Sequence, residues 1–362
     1  MAHLLFLDPY AGPSHLALSE ALRAHCRHQV TRLELSPRKW KWRMRGAALA
    51  LEPRIRAIDP PPDVLAATDM LNLPELLALV RDRLPARTPV LLYFHENQLT
   101  YPVSCSDERD IHFALCNLYS ALAADRVIFN SRFHLEEFMA AVPELLRKMP
   151  DERPSGIAER IRQRSAVLGV PVSVPALSSD ALSGRPPWIA WNHRWEEDKD
   201  PAAFFRAART LDRRGVEFGL VVAGQSFRDR PPCFEEARRD LAHRIVRWGP
   251  IESKQKYFAT LARCRIAVST ARHEFYGLAV REAVGMGCYP LLPRRVVYPE
   301  LAGGREQHLY GTEEELADRL EQVLADPEAA PSAELRAEAL AASPEAVAAQ
   351  WDAWIDELLS RM

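Results

Sequence analysis

Short apolar runs alternate with stretches of helical period along most of this chain, and the alternation stops once and then restarts. His3–Leu7, Val30–Leu35, Asp63–Ala66, Val90–Phe94 and Arg126–Phe129 read as buried strands. Leu16–His25, Leu73–Arg83 and Ile111–Ala124, lying between them, carry apolar residues at helix spacing. Strands joined through helices run parallel, because each crossover brings the chain back to the same end of the sheet. From Ser173 to Pro187 the chain is rich in Pro, Ser, Ala and Gly, which reads as a linker. The alternation resumes with Trp188–Trp191, Phe218–Ala223, Ile245–Trp248, Arg265–Ser269 and Tyr289–Leu292. The pattern predicts an α/β protein of two Rossmann-like domains facing a cleft, residues 1–172 and 188–342, with 173–187 between them. From Leu301 onward there are 14 Asp+Glu against 4 Lys+Arg, so two or three solvated helices are expected. The last, within 343–362, carries Trp351 and Trp354 on one face and is expected to cross back to the N-terminal domain.

Composition removes several function classes. With 47 Lys+Arg against 49 Asp+Glu the net charge is -2, so this is no wholly basic nucleic-acid binder, although a local basic face is not excluded. No apolar run reaches the ~18 residues of a membrane span. The opening His3–Leu7 run is ended by Asp8, unlike an export signal, which predicts a cytoplasmic protein with no membrane partner. The six cysteines include no C-x-x-C pair, so neither a zinc motif nor a disulfide scaffold is expected.

Polar residues collect just after the predicted strands, where open parallel sheets bind ligands. His273-Glu274-Phe275-Tyr276-Gly277-Leu278 follows one strand, and Glu282 stands eight positions after Glu274 on the helix that Leu278 begins. A helix start at Gly277 offers amide donors to a phosphate or a sugar oxygen, and nearby carboxylates suit vicinal hydroxyls. The same residues also fit an ordinary loop with solvated glutamates. Trp191-Asn192-His193-Arg194-Trp195 with Lys199 places a guanidinium and an ammonium at a strand end, a usual diphosphate clamp, or else a surface cluster balancing acids. Tyr93-Phe94-His95-Glu96-Asn97-Gln98 crowds four polar groups at another strand end, where His95 can orient a sugar or shuttle a proton, or be a satisfied structural histidine. The turn Asp8-Pro9-Tyr10-Ala11-Gly12-Pro13-Ser14-His15 is a weak glycine loop without G-x-G-x-x-G.

Together these residues resemble a known family. Glu274 and Glu282 match the E-x7-E pattern of retaining GT-B glycosyltransferases of the glycosyltransferase-4 kind, and Arg194 with Lys199 matches their donor-diphosphate pair. More narrowly, the chain resembles the tRNA-queuosine α-mannosyltransferases. The likeness runs through Pro37–Gly46, Met70–Leu76, Tyr93–Leu99, Ser120–Ser131, Trp191–Trp195, His273–Gly277, Gly287–Leu292 and Tyr298–Leu301, or roughly residues 1 to 310. One departure stands out: the family's first loop usually reads Gly-Gly-Ser-His, and here it is Gly12-Pro13-Ser14-His15.

The resemblance implies a GT-B fold and retaining transfer of mannose from GDP-mannose to the cyclopentene diol of queuosine in tRNA. A retaining hydrolase uses two opposed carboxylates, whereas the family's front-face route leaves the protein to supply placement and charge. His95, Glu274, Arg194 and Lys199 are then the catalytic candidates. Arg194, Lys199, Tyr276, Gly277, Leu278 and Gly12 surround the donor, with Glu274 on mannose hydroxyls and Glu282 on the ribose. No cofactor or metal is implied. Pro37–Arg56 holds seven Lys+Arg and one acid, with Trp40 and Trp42 interleaved. Cations for phosphates and aromatics for unstacked bases are RNA-loop chemistry. With the resemblance, Arg38, Lys39, Trp40, Lys41, Trp42, Arg43 and Arg45, together with Glu96, Asn97 and Gln98, become the tRNA-binding candidates; otherwise the stretch reads as a solvated helix. A GT-B enzyme acting on a lipid or small molecule, and a non-catalytic RNA-binding protein of this fold, are the alternatives.

Overall fold

The computed structural model describes residues 1–102, 110–178, 182–226 and 230–361; Cys105 lies outside them. The chain divides into two compact units, Met1–Pro171 with Ala342–Met362, and Val172–Ala341.

The first unit is built on β1 (His3–Asp8), β2 (Gln29–Glu34), β3 (Val64–Thr68), β4 (Val90–Phe94), β5 (Arg126–Phe129) and β6 (Ser165–Val167). They form one parallel sheet in the order β2-β1-β3-β4-β5-β6. Its helices are α1 (Pro13–His25), α2 (Trp40–Arg56), α3 (Leu73–Leu79), α4 (Ile111–Ala123), α5 (Arg132–Leu146) and α6 (Ile157–Arg162). Every residue of β3 and β4 is buried, as a sheet covered on both faces requires. Side-chain caps fix where helices begin: Asn72, Asp110 and Ser131 each accept an amide from the first turn of α3, α4 and α5.

The second unit repeats the plan. Its strands β7 (Trp188–Trp191), β8 (Gly219–Val222), β9 (Ile245–Trp248), β10 (Ile266–Val268), β11 (Tyr289–Pro293) and β12 (Leu309–Tyr310) stand in the order β12-β11-β10-β7-β8-β9, all parallel. Its helices are α7 (Pro201–Arg213), α8 (Cys233–Asp240), α9 (Lys254–Leu261), α10 (Leu278–Gly285), α11 (Tyr298–Leu301), α12 (Glu313–Ala325) and α13 (Ala333–Ala339). The residues expected as a linker run with this unit. Arg185 is buried and donates to the carbonyls of Cys264 (2.9 Å) and Gly287 (2.7 Å), which pins the chain at that residue just before β7; residues 179–181 of the expected linker lie outside the described residues.

The ten strands expected from the alternation are all present. The edge strands β6 and β12 escaped it because three and two residues are too short to show a period. Helix α1 starts at Pro13, earlier than the apolar spacing suggested, since proline suits the first helical position.

Helix α14 (Pro344–Ser360) belongs to the first unit, where it packs beside α1. Trp351 is fully buried, its ring 6.1 Å from Phe6 and 6.3 Å from Tyr93. Asp352, also buried, accepts from the Arg27 amide (3.0 Å) and its Nε (3.2 Å), and Arg126 pairs with Glu357 at 2.7 Å. No helix among the described residues is long and apolar enough to cross a membrane. Trp351→Ala removes the largest side chain joining α14 to the sheet and should destabilise the first unit by about 3–5 kcal/mol, read as a lowered urea midpoint.

Candidate active site

In the second unit the polar residues gather after β7 and β10. The turn leaving β7 carries Asn192, His193 and Arg194, and the backbone of Gly224 passes so close that a Cβ there would lie 1.8 Å from the His193 carbonyl oxygen. Gly224 has φ +151°, a left-handed backbone that only glycine takes without strain. Arg194 pairs with Glu196 at 3.1 Å and keeps its side chain half exposed.

Lys199 is 6% exposed. Its Nζ donates to the His273 carbonyl at 2.7 Å and lies 3.0 Å from Asp198 and 3.4 Å from Glu274. Burial alone would lower its pKa; Glu274 and Asp198 more than offset this and raise it. For Glu274 the balance runs the other way. Burial would raise the carboxyl, but Lys199, His193 and the Gly277 amide hold it at about 2. The pair is ionised across the whole physiological range. Burial, reinforced by Lys199, pushes His193 and His273 down to about 4, so both are neutral.

Gly277 caps α10 with φ +78°, and a Cβ there would meet Leu301 at 3.0 Å. Tyr276 is buried beneath Arg281, whose guanidinium stands 4.4 Å from the ring centroid, and Leu278 opens the helix half-buried. Glu282 follows on α10. Tyr257 of α9 donates to it at 3.1 Å, while Asn192 donates to the Tyr257 oxygen at 2.8 Å and to the Ala279 carbonyl at 2.8 Å. Tyr257 was not foreseen, because it lies on a helix outside every motif and its role exists only through the fold.

The first unit has its own cluster. His95, at the end of β4, is 8% exposed, and its amide donates to Asp69 at 2.8 Å. Its ring stacks on His15 with centroids 3.8 Å apart, and His15 bonds Asp8 at 3.0 Å. Glu96 is half-buried and accepts from Gln98 at 3.3 Å. Gln98 also donates its amide to Asn117 at 2.7 Å. The Asn97 side chain holds the loop itself, accepting from the amides of Leu99 (2.9 Å) and Thr100 (3.0 Å). Gly12 caps α1 with an ordinary φ of −81°, and the Pro13 ring fills the first helical position.

The basic stretch forms the start of α2, entered through Lys39 in a left-handed conformation with φ +56°. Trp42 is 67% exposed and lies over Gly46. Trp40 is half-buried, 5.1 Å from Phe113. Arg43 is tied to Ser36, and Arg45 to Asp110 at 2.6 Å. Among the described residues Arg38, Lys39 and Lys41 have no ion-pair partner, whereas Arg54 bonds the Glu34 carbonyl and Arg56 pairs with Glu52 and Asp82. Lys41 Nζ stands 5.7 Å from the Trp40 ring centroid.

Residues 3–172 match the family model described as the N-terminal region of tRNA-queuosine alpha-mannosyltransferase. The chain is 35% identical over 332 residues to a tRNA-queuosine alpha-mannosyltransferase of Drosophila melanogaster, covering 88% of this chain and 86% of that one. It belongs to the tRNA-queuosine α-mannosyltransferase family. Among solved structures it is similar to a sucrose-phosphate synthase from Thermosynechococcus elongatus (TM-score 0.73, 17% identity, 100% of both chains). It is also similar to Anabaena HepE in complex with UDP (TM-score 0.66, 15% identity, 100% of both chains). At such identities the likeness speaks for the fold, which is GT-B. Family membership makes the chain a glycosyltransferase of the tRNA-queuosine α-mannosyltransferase kind.

Because the folded-state pKa of Glu274 is depressed from 4.5 to about 2, its stabilisation is fully present above pH 4.5 and is lost as pH falls toward 2. Glu274→Gln carries no charge to lose on acidification. Chemical denaturation at pH 5.5 and pH 3.5 should show the wild-type second unit losing more stability on acidification than the variant.

Proposed function

We propose that this chain transfers mannose from GDP-mannose to the cyclopentene diol of queuosine in tRNA, the anticodon position of tRNA-Asp being the expected site. The observation that carries the reading is the buried Lys199–Glu274 pair beside the Gly277 helix start, standing on a chain of this family.

Arg194 exchanges Glu196 for the donor diphosphate and, with the α10 amides, holds the charge that grows as the glycosidic bond breaks. Lys199 keeps Glu274 ionised and adds positive potential from below. Glu274 accepts from mannose hydroxyls, and Glu282, aimed by Tyr257, accepts from the ribose. His95 orients the reacting sugar, and the departing phosphate takes the acceptor proton. Two cations and a helix start stabilise the leaving diphosphate, so the reaction needs no metal ion. Glu96 and Gln98 border the acceptor. Arg38, Lys39 and Lys41 hold tRNA phosphates, and Trp42 offers a stacking face. The work is that of a cytoplasmic enzyme whose partners are a sugar nucleotide and queuosine-containing tRNA.

Incubation with GDP-mannose and queuosine-containing tRNA, followed by digestion and mass spectrometry, should give a hexose gain on the nucleoside, and the gain should persist in EDTA. Arg194→Ala and Glu274→Ala should each slow transfer roughly 30- to 1000-fold, the equivalent of about 2–4 kcal/mol of lost transition-state stabilisation. Undiminished rates in both variants would remove the donor assignment.

Replacing Arg38, Lys39 and Lys41 together with Ala should weaken tRNA binding and lower its salt slope by about 0.7–0.9 for each lost phosphate contact. Trp42→Ala should cost about 1–3 kcal/mol of tRNA affinity. GDP binding measured by calorimetry should not change in either, because the donor groups lie in the other unit.

A further inference from the structure

Two imidazoles stacked at 3.8 Å with an interplanar angle of 19° are an unusual thing to bury. His15 is 5% exposed and His95 8% exposed. Their surroundings are unequal. His15 Nδ1 bonds Asp8 Oδ1 at 3.0 Å, and that same oxygen accepts from Thr68 Oγ1 and the Tyr10 amide, both at 3.1 Å. Asp8 is thereby fixed as a buried carboxylate aimed at one ring of the stack. Both ring nitrogens of His95 are buried without a hydrogen-bond partner among the described residues. Its hydrogen bonds among the described residues are made by the main chain, the amide to Asp69 and the carbonyl from Asn130, both at 2.8 Å.

We propose that His15, paired with Asp8, is a positioning residue that keeps the stacked His95 ring neutral and facing the reacting sugar. Two like charges at stacking distance in a desolvated site repel strongly, so only one ring of the pair can carry a proton. The ring with the carboxylate partner takes it. Burial by itself would lower His15, but Asp8, Asp69 and Glu96 more than offset it and raise it. Burial, then His15 and His134, drive His95 well below its ordinary value. All the elements around His95 enter this balance: His15 from α1, Asp8 from β1, Asp69 after β3, Tyr93 and Glu96 from its own strand and loop, and His134 from α5. The first turn of α1, which contains His15, adds partial positive charge that opposes a cation on either ring, and only His15 has a bonded carboxylate to offset it. A neutral ring has one donor and one acceptor nitrogen, so it can both give and take a hydrogen bond with a sugar hydroxyl. A cationic ring gives only donors and would repel the positive charge that develops at the anomeric carbon.

This proposal rests on the placing of His95 at the reacting sugar, and the test separates the two. The full-length protein is labelled at histidine Cε1, and its ring resonances are followed by NMR from pH 5 to 9, with His95 assigned from His95→Gln. In the wild type His15 should titrate above the ordinary histidine value and His95 well below it. His15→Phe keeps a stacked ring without its charge and leaves Asp8 uncompensated, so the His95 midpoint should rise by about one unit or more. His15→Asn serves if phenylalanine is not accommodated, and circular dichroism verifies folding of each. The acid limb of mannosyl transfer should move to higher pH by the same amount. A His95 resonance unmoved in both folded variants overturns the proposal whatever the activity. A His95 that moves while the acid limb does not upholds the coupling and counts against its place at the sugar.

Discussion

Both sheets are wholly parallel, and that one constraint governs where chemistry can occur in this molecule. A parallel strand delivers its next residue at the same edge as its neighbours do, so loops from strands distant in sequence converge there. In the first unit β1, β3 and β4 end at Asp8, Thr68 and Phe94, which brings Asp8, Asp69 and His95 into one cluster. In the second, β7 and β10 end at Trp191 and Val268, which brings Arg194, Lys199, Glu274 and Glu282 into one neighbourhood. Thr270 ties these two loops, donating to the Lys199 carbonyl at 2.8 Å and accepting from Trp191 Nε1 at 3.1 Å.

The convergence forces charges out of water, and the molecule answers by pairing them. A buried ammonium alone would release its proton. Lys199 keeps it because Asp198 and Glu274 lie within 3.4 Å and the His273 carbonyl accepts directly. In return Glu274 stays a carboxylate in a site that would otherwise favour its acid. A carboxylate prepared in this way accepts hydroxyl donors without first losing a proton, so binding a sugar there involves no change of ionisation. The first unit meets the same difficulty with a different device: Asp8 pairs with one ring of the stack, His15, and the His95 ring has no hydrogen-bond partner among the described residues.

The sequence revealed the parts of this arrangement that are periodic or contiguous. Ten strands stood out because they are apolar runs bounded by polar turns, and the loops following them were visible as crowded polar residues. Glu274 and Glu282 could be found because their spacing is local. Tyr257 could not be, since nothing near it in the chain signals that α9 would bring its hydroxyl to Glu282. The same holds for Asp8 and His15. Each is legible as a residue of a weak turn motif, but the stack on His95 spans eighty positions and depends on β1 lying two strands from β4. The difference between Trp40 and Trp42 was equally hidden. Two residues apart on a helix, they point to different faces, and only packing shows that one meets Phe113 while the other meets solvent.

The proline in the first loop bears on how that stack is held. A glycine at position 13 would leave an amide hydrogen at the start of α1, one more donor for a ligand. Pro13 has none. It stands at the first helical position, where the amide is an orphan in any case, and its ring fixes φ at the helical value. The exchange gives up a donor and stiffens the turn two residues before His15. Gly12 supplies the close turn, its amide reaching the Tyr10 carbonyl at 2.6 Å, while Asp8 takes the Tyr10 amide at 3.1 Å. The chain from Asp8 to His15 is thus closed on itself at both ends by the carboxylate that carries the histidine. A loop built this way is better suited to holding an imidazole in one orientation than to wrapping a phosphate, which agrees with the proposal that the donor diphosphate is held at the α10 start.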